Sequence, residues 1–159
     1  CCDNNIPVFA SCFGFQLAVV AFDGTVIPEP GEKETGTYMM KLTEAGKKDV
    51  LFAGLPEEFC AVSAHNQRAD KWPEEFELLV YSDLCPYHSF KIKDKPFYAF
   101  QFHPEVDKQC LIDRITRYKE VYFENKEAWR KAVDACLETP FSGGLVENFV
   151  DRILLNDKS

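Results

Sequence analysis

The chain has 159 residues with a formal net charge of -8; 46% are hydrophobic and 28% charged. That length suits one domain with room for a core. So acidic a balance excludes nucleic acid or an anionic membrane as main partner, since both require a basic footprint, and no apolar run approaches the roughly 20 residues of a membrane span.

No signal peptide is visible, and the chain opens Cys-Cys without a methionine, which reads as a fragment or a processed product. "IPVFAS" (6–11) predicts a short buried strand, being apolar, β-leaning and too short for a helix. Residues 15–22 predict a helix that stops at Asp23-Gly24, a turn signal. "TVIP" reads as a short strand, and further strands are expected over 37–42, in "EEFCAVSAH" and in "FELLVYS". "HSFKIKDKPFYAFQF" reads as a hairpin around Lys93-Asp94-Lys95-Pro96. After His103 the period changes. Leu111, Ile115, Tyr118 and Tyr122 share one helical face, residues 126–137 form a second helix, and a third runs from Leu145 behind a break at Gly143-Gly144. Strands mixed with helices at this length predict an α/β fold and a single domain over 1–159.

Seven cysteines (Cys1, Cys2, Cys12, Cys60, Cys85, Cys110 and Cys136) are scattered without a disulfide pattern, which favours a reducing, cytoplasmic setting. There is no C-x-x-C pair, and His65, His88 and His103 lie far apart, so no metal and no cofactor is expected. His88 reads as a surface or structural residue.

Two strand ends carry chemistry. In "PVFASCFGFQLAVV" a strand ends on Cys12 and turns at once into a helix. Such an elbow lifts the side chain above the sheet edge and aims the free N–H groups of the first helical turn at the same place. Those groups favour a thiolate and can hold an oxyanion. Gly14 permits the close approach of strand and helix. Alone, Cys12 reads equally well as a small buried hydrophobe. In "FYAFQFHPEV" an apolar strand ends on His103, with Glu105 two residues on. Alone, "HPE" reads as a helix start with an acid favoured by the helix dipole. Together, Cys12, His103 and Glu105 fill the roles of nucleophile, base and orienting carboxylate.

"ASCFGFQ" resembles the nucleophile motif G-x-C-x-G-x-Q of class I glutamine amidotransferases, and "QFHPEV" resembles their second signature. Between them, "ETGTYMMKLTEAGKKDVLFAGLPEEF", "SAHNQRADKWP" and "YSDLCPYHSFKI" are similar to the middle of the GMP-synthase-like branch, and "GLVENFVDRILL" to its closing helix. The resemblance implies a three-layer sandwich, a central mostly parallel sheet flanked by helices. It implies hydrolysis of the glutamine side-chain amide through a γ-glutamyl thioester on Cys12, with His103 and Glu105 completing the triad. The Phe13 N–H becomes an oxyanion donor. Gln16 lies near the substrate, and Ser63, Ala64 and His65 form the strand whose backbone meets the substrate's α-amino and α-carboxylate groups. Ammonia would pass to a synthetase partner.

Ala10 stands where the motif has its first glycine, and Phe15 where many members have histidine. In the family a strand-helix-strand portion precedes the nucleophile strand and supplies a second oxyanion N–H; that portion is expected to be missing here. A γ-glutamyl peptidase using the same triad, and a non-catalytic relative without a full oxyanion hole, are the alternatives.

Overall fold

A computed structural model describes residues 1–31 and 34–155, except the side chains of Val121 and Tyr122. Tyr122's expected place on a helix face therefore lies outside the described side chains.

After a single 3-10 turn at Cys2–Asn4, strand β1 (Val8–Ser11) leads into helix α1 (Phe13–Ala21). Strands β2 (Val26–Pro28) and β3 (Thr35–Leu42) follow, then the short helix α2 (Glu44–Lys48) and a 3-10 turn at Val50–Phe52. Next come β4 (Glu58–Ala64), β5 (Gln67–Ala69), β6 (Phe76–Tyr81), β7 (Ser89–Ile92) and β8 (Phe97–Phe100). Four helices close the chain: α3 (Lys108–Arg117), α4 (Lys119–Tyr122), α5 (Lys126–Asp134) and α6 (Pro140–Phe149), the last running on as a π-helical turn over Val150–Leu154.

Six strands form the main sheet in the order β1-β8-β7-β6-β3-β4, and β2 pairs with β5 in a small separate ribbon. The α/β class and flanking helices are as expected, but the sheet is mixed rather than mostly parallel. Only β1 and β8 run parallel among the described strands; the other pairs of the main sheet are antiparallel. The reason is local connectivity. The hairpin β7–β8 has its turn at the expected place, with Asp94 in the left-handed region at φ 58°, and a two-strand turn of this length can only join antiparallel neighbours.

Strand β8 shows how the layers form. Its residues alternate between two cores, Tyr98 and Phe100 facing one and Phe97 and Ala99 the other. On the first face Leu145 and Phe149 of α6 pack with Phe100, Phe102 and Leu79; on the second, Phe15 and Val19 of α1 pack with Phe76 and Phe90. Each such side chain taken from water is worth about 1.5–3 kcal/mol. A third cluster seats α3 through Leu111 and Ile115, and α5 through Ala132 and Val133 with Cys136 just beyond it, against Val62 of β4.

Three expectations need correction. Gly143-Gly144 do not break a helix but lie inside α6, whose start is instead set by Thr139 and Pro140 at its first turn. Tyr118 caps α3 and is half exposed, so the expected stripe ends at Ile115. His88 is fully buried, which fits the structural one of its two readings. Helix α5 ends at Asp134, three residues short of the expected limit. Helix α2 and strand β5, too short to show a period, went unforeseen.

Candidate active site

The parallel register of β1 on β8 sets Ser11 opposite Phe100. Both strands therefore end at the same edge, and the residues that follow each one meet there, as expected at the carboxyl ends of parallel strands. The Cys12 N–H extends the ladder by donating to the Phe100 carbonyl at 2.7 Å. Cys12 then turns sharply, with φ 47° and ψ -94°, and serves as N-cap of α1. A non-glycine residue there stores of order 1–3 kcal/mol of strain. Its carbonyl accepts from the Gln16 N–H at 3.1 Å, the first bond of the helix. Gly14, the second residue of α1, allows a close approach to β1: a methyl group on it would stand 3.1 Å from the Ala10 Cβ.

Beyond β8 the His103 N–H donates to the Val62 carbonyl at 2.8 Å. This bridge brings β4, last in the pairing order, back to the chain that follows β8. It places Ala64 and His65 beside Cys12 and His103 around a cavity of about 250 Å³, with Asn66 and Thr35 also on its wall. That volume lies below the ~300 Å³ at which drug-sized sites begin and suits a small metabolite.

His103 Nδ1 lies 2.7 Å from Glu105 Oε1. The Ser11 hydroxyl donates to the same oxygen at 2.9 Å. Burial works against a charge on His103, but its hydrogen bonds to the Cys12 thiol and to Glu105 outweigh it and raise its pKa to about 9. Burial likewise opposes the Glu105 carboxylate, and the bond to His103 overcomes it, holding the carboxyl below its ordinary range. With Nδ1 engaged by Glu105, Nε2 is the nitrogen left for Cys12.

Gln16 sits behind the cysteine. Its Nε2 donates to the Gln67 carbonyl at 3.1 Å and to Gln101 Oε1 at 3.2 Å, and Gln101 Nε2 approaches Cys12 Sγ at 3.8 Å. Phe13 presents its ring to solvent, 74% exposed, while its N–H belongs to the first turn of α1. Ser63 is fully buried with its side chain beside Glu34 and away from the cavity wall, so only its backbone can serve there. His65 reaches the wall, and its Nε2 is bound to Glu34 at 3.2 Å.

Sequence reasoning missed Ser11 and Gln101, although each adjoins a motif: Ser11 precedes Cys12 and Gln101 lies two residues before His103. A polar residue at the end of an apolar strand was the available signal.

The family model of the class I glutamine amidotransferases matches residues 1–116. The chain belongs to this family. Among curated amidotransferase relatives, a subunit of the glutamine-hydrolysing GMP synthase of Methanocaldococcus jannaschii is 39% identical over 102 residues, which cover 64% of this chain and 52% of that protein. The corresponding protein of Methanococcus maripaludis is 37% identical over 123 residues, covering 77% of this chain and 59% of its own. The chain thus spans between half and three fifths of these relatives. A glutamine amidotransferase from Thermotoga maritima superimposes with a TM-score of 0.72 at 18% identity, over 96% of this chain and 64% of that one, which shows the amidotransferase fold. No described helix is long and apolar enough to cross a membrane.

Proposed function

We propose that this chain hydrolyses the side-chain amide of glutamine with Cys12, His103 and Glu105 and delivers ammonia to a synthetase partner, as a GMP-synthase-like amidotransferase domain over 1–159. The observation that carries the reading is the 2.7 Å His103–Glu105 pair beside a strained cysteine at the head of a helix. Cys12 attacks the amide carbon and its thiol proton passes to His103. His103 gives that proton to the departing nitrogen, ammonia leaves, and the γ-glutamyl thioester remains. Water then yields a proton to His103 and its hydroxyl to the acyl carbon, and glutamate departs as the thiol is restored. Glu105, steadied by Ser11, holds Nδ1–H and offsets the imidazolium charge. The raised pKa of His103, about 9, favours the imidazolium that forms once the thiol proton has passed to it, so that proton is held ready for the leaving nitrogen.

The Phe13 N–H faces the developing oxyanion, Gln16 supports the cysteine through Gln101, and Ser63, Ala64 and His65 present the edge against which the substrate's amino-acid end lies. The partner role rests on the relatives named as GMP synthase subunits. A working thiolate requires a reducing setting, hence the cytoplasm.

The test is ammonia and glutamate release from L-glutamine by this chain and by Cys12→Ala, repeated with γ-glutamyl dipeptides. Release from glutamine that vanishes in the variant is expected. Turnover of dipeptides alone would replace this reading with the γ-glutamyl peptidase. Turnover that survives in Cys12→Ala would remove the nucleophile. Silence on both substrates, with and without a synthetase partner, would leave a non-catalytic relative.

A further inference from the structure

Behind the cavity wall lies a second cluster that the triad does not use. Glu34 is 1% exposed, and its Oε2 lies 3.2 Å from His65 Nε2 and 3.0 Å from His88 Nε2. The Ser82 hydroxyl donates to its Oε1 at 2.7 Å. Three donors thus hold one buried carboxylate. A neutral imidazole that donates its Nε2–H to this carboxylate carries a lone pair on Nδ1. Both Nδ1 atoms are buried, and neither has a hydrogen-bond partner among the described residues. Buried polar nitrogens without partners are uncommon and call for an explanation, a bound ion being one.

Cys85 supplies the third element. It is 1% exposed, and its thiol makes only a long contact of 3.6 Å to the Tyr87 carbonyl. A ring nitrogen of His65, a ring nitrogen of His88 and Cys85 Sγ all lie within 4.8 Å of one another. Cys85 and His88 come from one short loop, Cys85-Pro86-Tyr87-His88, between β6 and β7. That loop is pinned by Ser82, which accepts from the Cys85 N–H at 2.9 Å and whose own N–H donates to the Cys85 carbonyl at 2.9 Å.

We propose that His65, His88 and Cys85 form a buried binding site for a thiophilic divalent cation, best suited to zinc, with Glu34 as the outer carboxylate that fixes both imidazoles. Two imidazoles and a thiolate are a donor set that zinc takes readily. Ligating histidines characteristically donate their other N–H to a carboxylate, the part Glu34 plays for both rings. The charges close as well: Zn2+ replaces the Cys85 proton, which leaves to solvent, and the thiolate with the Glu34 carboxylate balances the ion. Because His65 also forms part of the cavity wall, the ion would brace the end of β4 at the substrate's edge.

The experiment is to load the chain with zinc, remove weakly held ion by gel filtration in a mild chelator, and measure bound metal. Cys85→Ala, His88→Ala, Cys12→Ala and Cys110→Ser are treated alike. One zinc per chain is expected in the wild type, Cys12→Ala and Cys110→Ser, and its loss in Cys85→Ala and His88→Ala with the fold checked by circular dichroism. Cobalt in place of zinc should give a thiolate charge-transfer band and two shifted imidazole N–H signals in the wild type, a readout that holds even where a variant fails to fold. A wild type that retains no zinc, a folded Cys85→Ala or His88→Ala that keeps it, loss in Cys12→Ala instead, or a cobalt form without the thiolate band would each overturn the proposal.

Discussion

The ion pair of His103 with Glu105 makes a residue-scale statement about pH. His103 is raised from 6.5 to about 9, so its share of stability is complete below pH 6.5 and is lost as pH rises towards 9. Glu105 is lowered from 4.5, so its share is complete above that value and is lost on acidification. The pair stabilises the fold most between about pH 4.5 and 6.5. Replacing Glu105 by Gln removes the charge but keeps the shape. In Glu105→Gln the His103 titration midpoint, followed by NMR, should fall from about 9 towards 6.5. Glutamine turnover should drop by roughly 100-fold or more, the usual share of a positioned acid–base group. The stability difference from the wild type should shrink between about pH 6 and pH 9.5. A His103 midpoint unmoved by the substitution would show that Glu105 does not act on it.

At the scale of elements, two glycines give opposite expectations for the same substitution. Gly46 in α2 lies against β6, and a methyl group there would be driven into the Leu79 carbonyl. Backbone cannot yield as a side-chain tip does, so Gly46→Ala should destabilise by about 1–3 kcal/mol. Gly143 in α6 has nothing within 4 Å of where a Cβ would stand. Gly143→Ala should instead stabilise by roughly 0.5–1 kcal/mol, by restricting the unfolded chain and favouring the helix. Urea midpoints of both variants decide the matter, and equal signs would contradict the packing described. The same pair explains why reading α6 from its glycines fails. Each glycine weakens a helix by about 1 kcal/mol, and the burial of Leu145 and Phe149 against the sheet outweighs that. Strands β1, β3, β4, β6, β7 and β8 were legible because apolar β-formers cluster between turn residues. Helix α2 was not, because five residues complete little more than one period; its Thr43 cap, which accepts from the Gly46 N–H, was the one local sign.

For the whole molecule, the sheet's two buried faces make its central strands the common support of every layer. Phe100 is fully buried, in contact with Phe9, Phe52 and Phe102 rings. Phe100→Ala should cost about 3–5 kcal/mol, a large part of the 5–15 kcal/mol a domain typically has. If 1–159 is one cooperative domain, fluorescence and circular dichroism should report the same lowered midpoint; separated midpoints would divide it.

Both halves of the candidate site could be read from the order of residues: the elbow at Cys12, and His103 with Glu105. Each is a contiguous motif, because a strand that stops on a turn carries its functional side chain in a short stretch of chain. The alternation that buries β8 on both faces is equally local. The parallel run of β1 on β8 within an otherwise antiparallel sheet is not, nor is the service of Ser11 to Glu105 or the link that Gln101 makes between Gln16 and the cysteine. Folding alone gathers Glu34, His65, Cys85 and His88 into one buried cluster, where the order of residues had suggested no metal site at all. Those contacts join residues 31 to 94 positions apart, and strand order and register set them. Hydrophobic periodicity fixes which face a residue takes, and it carries no information on which distant residue will stand opposite.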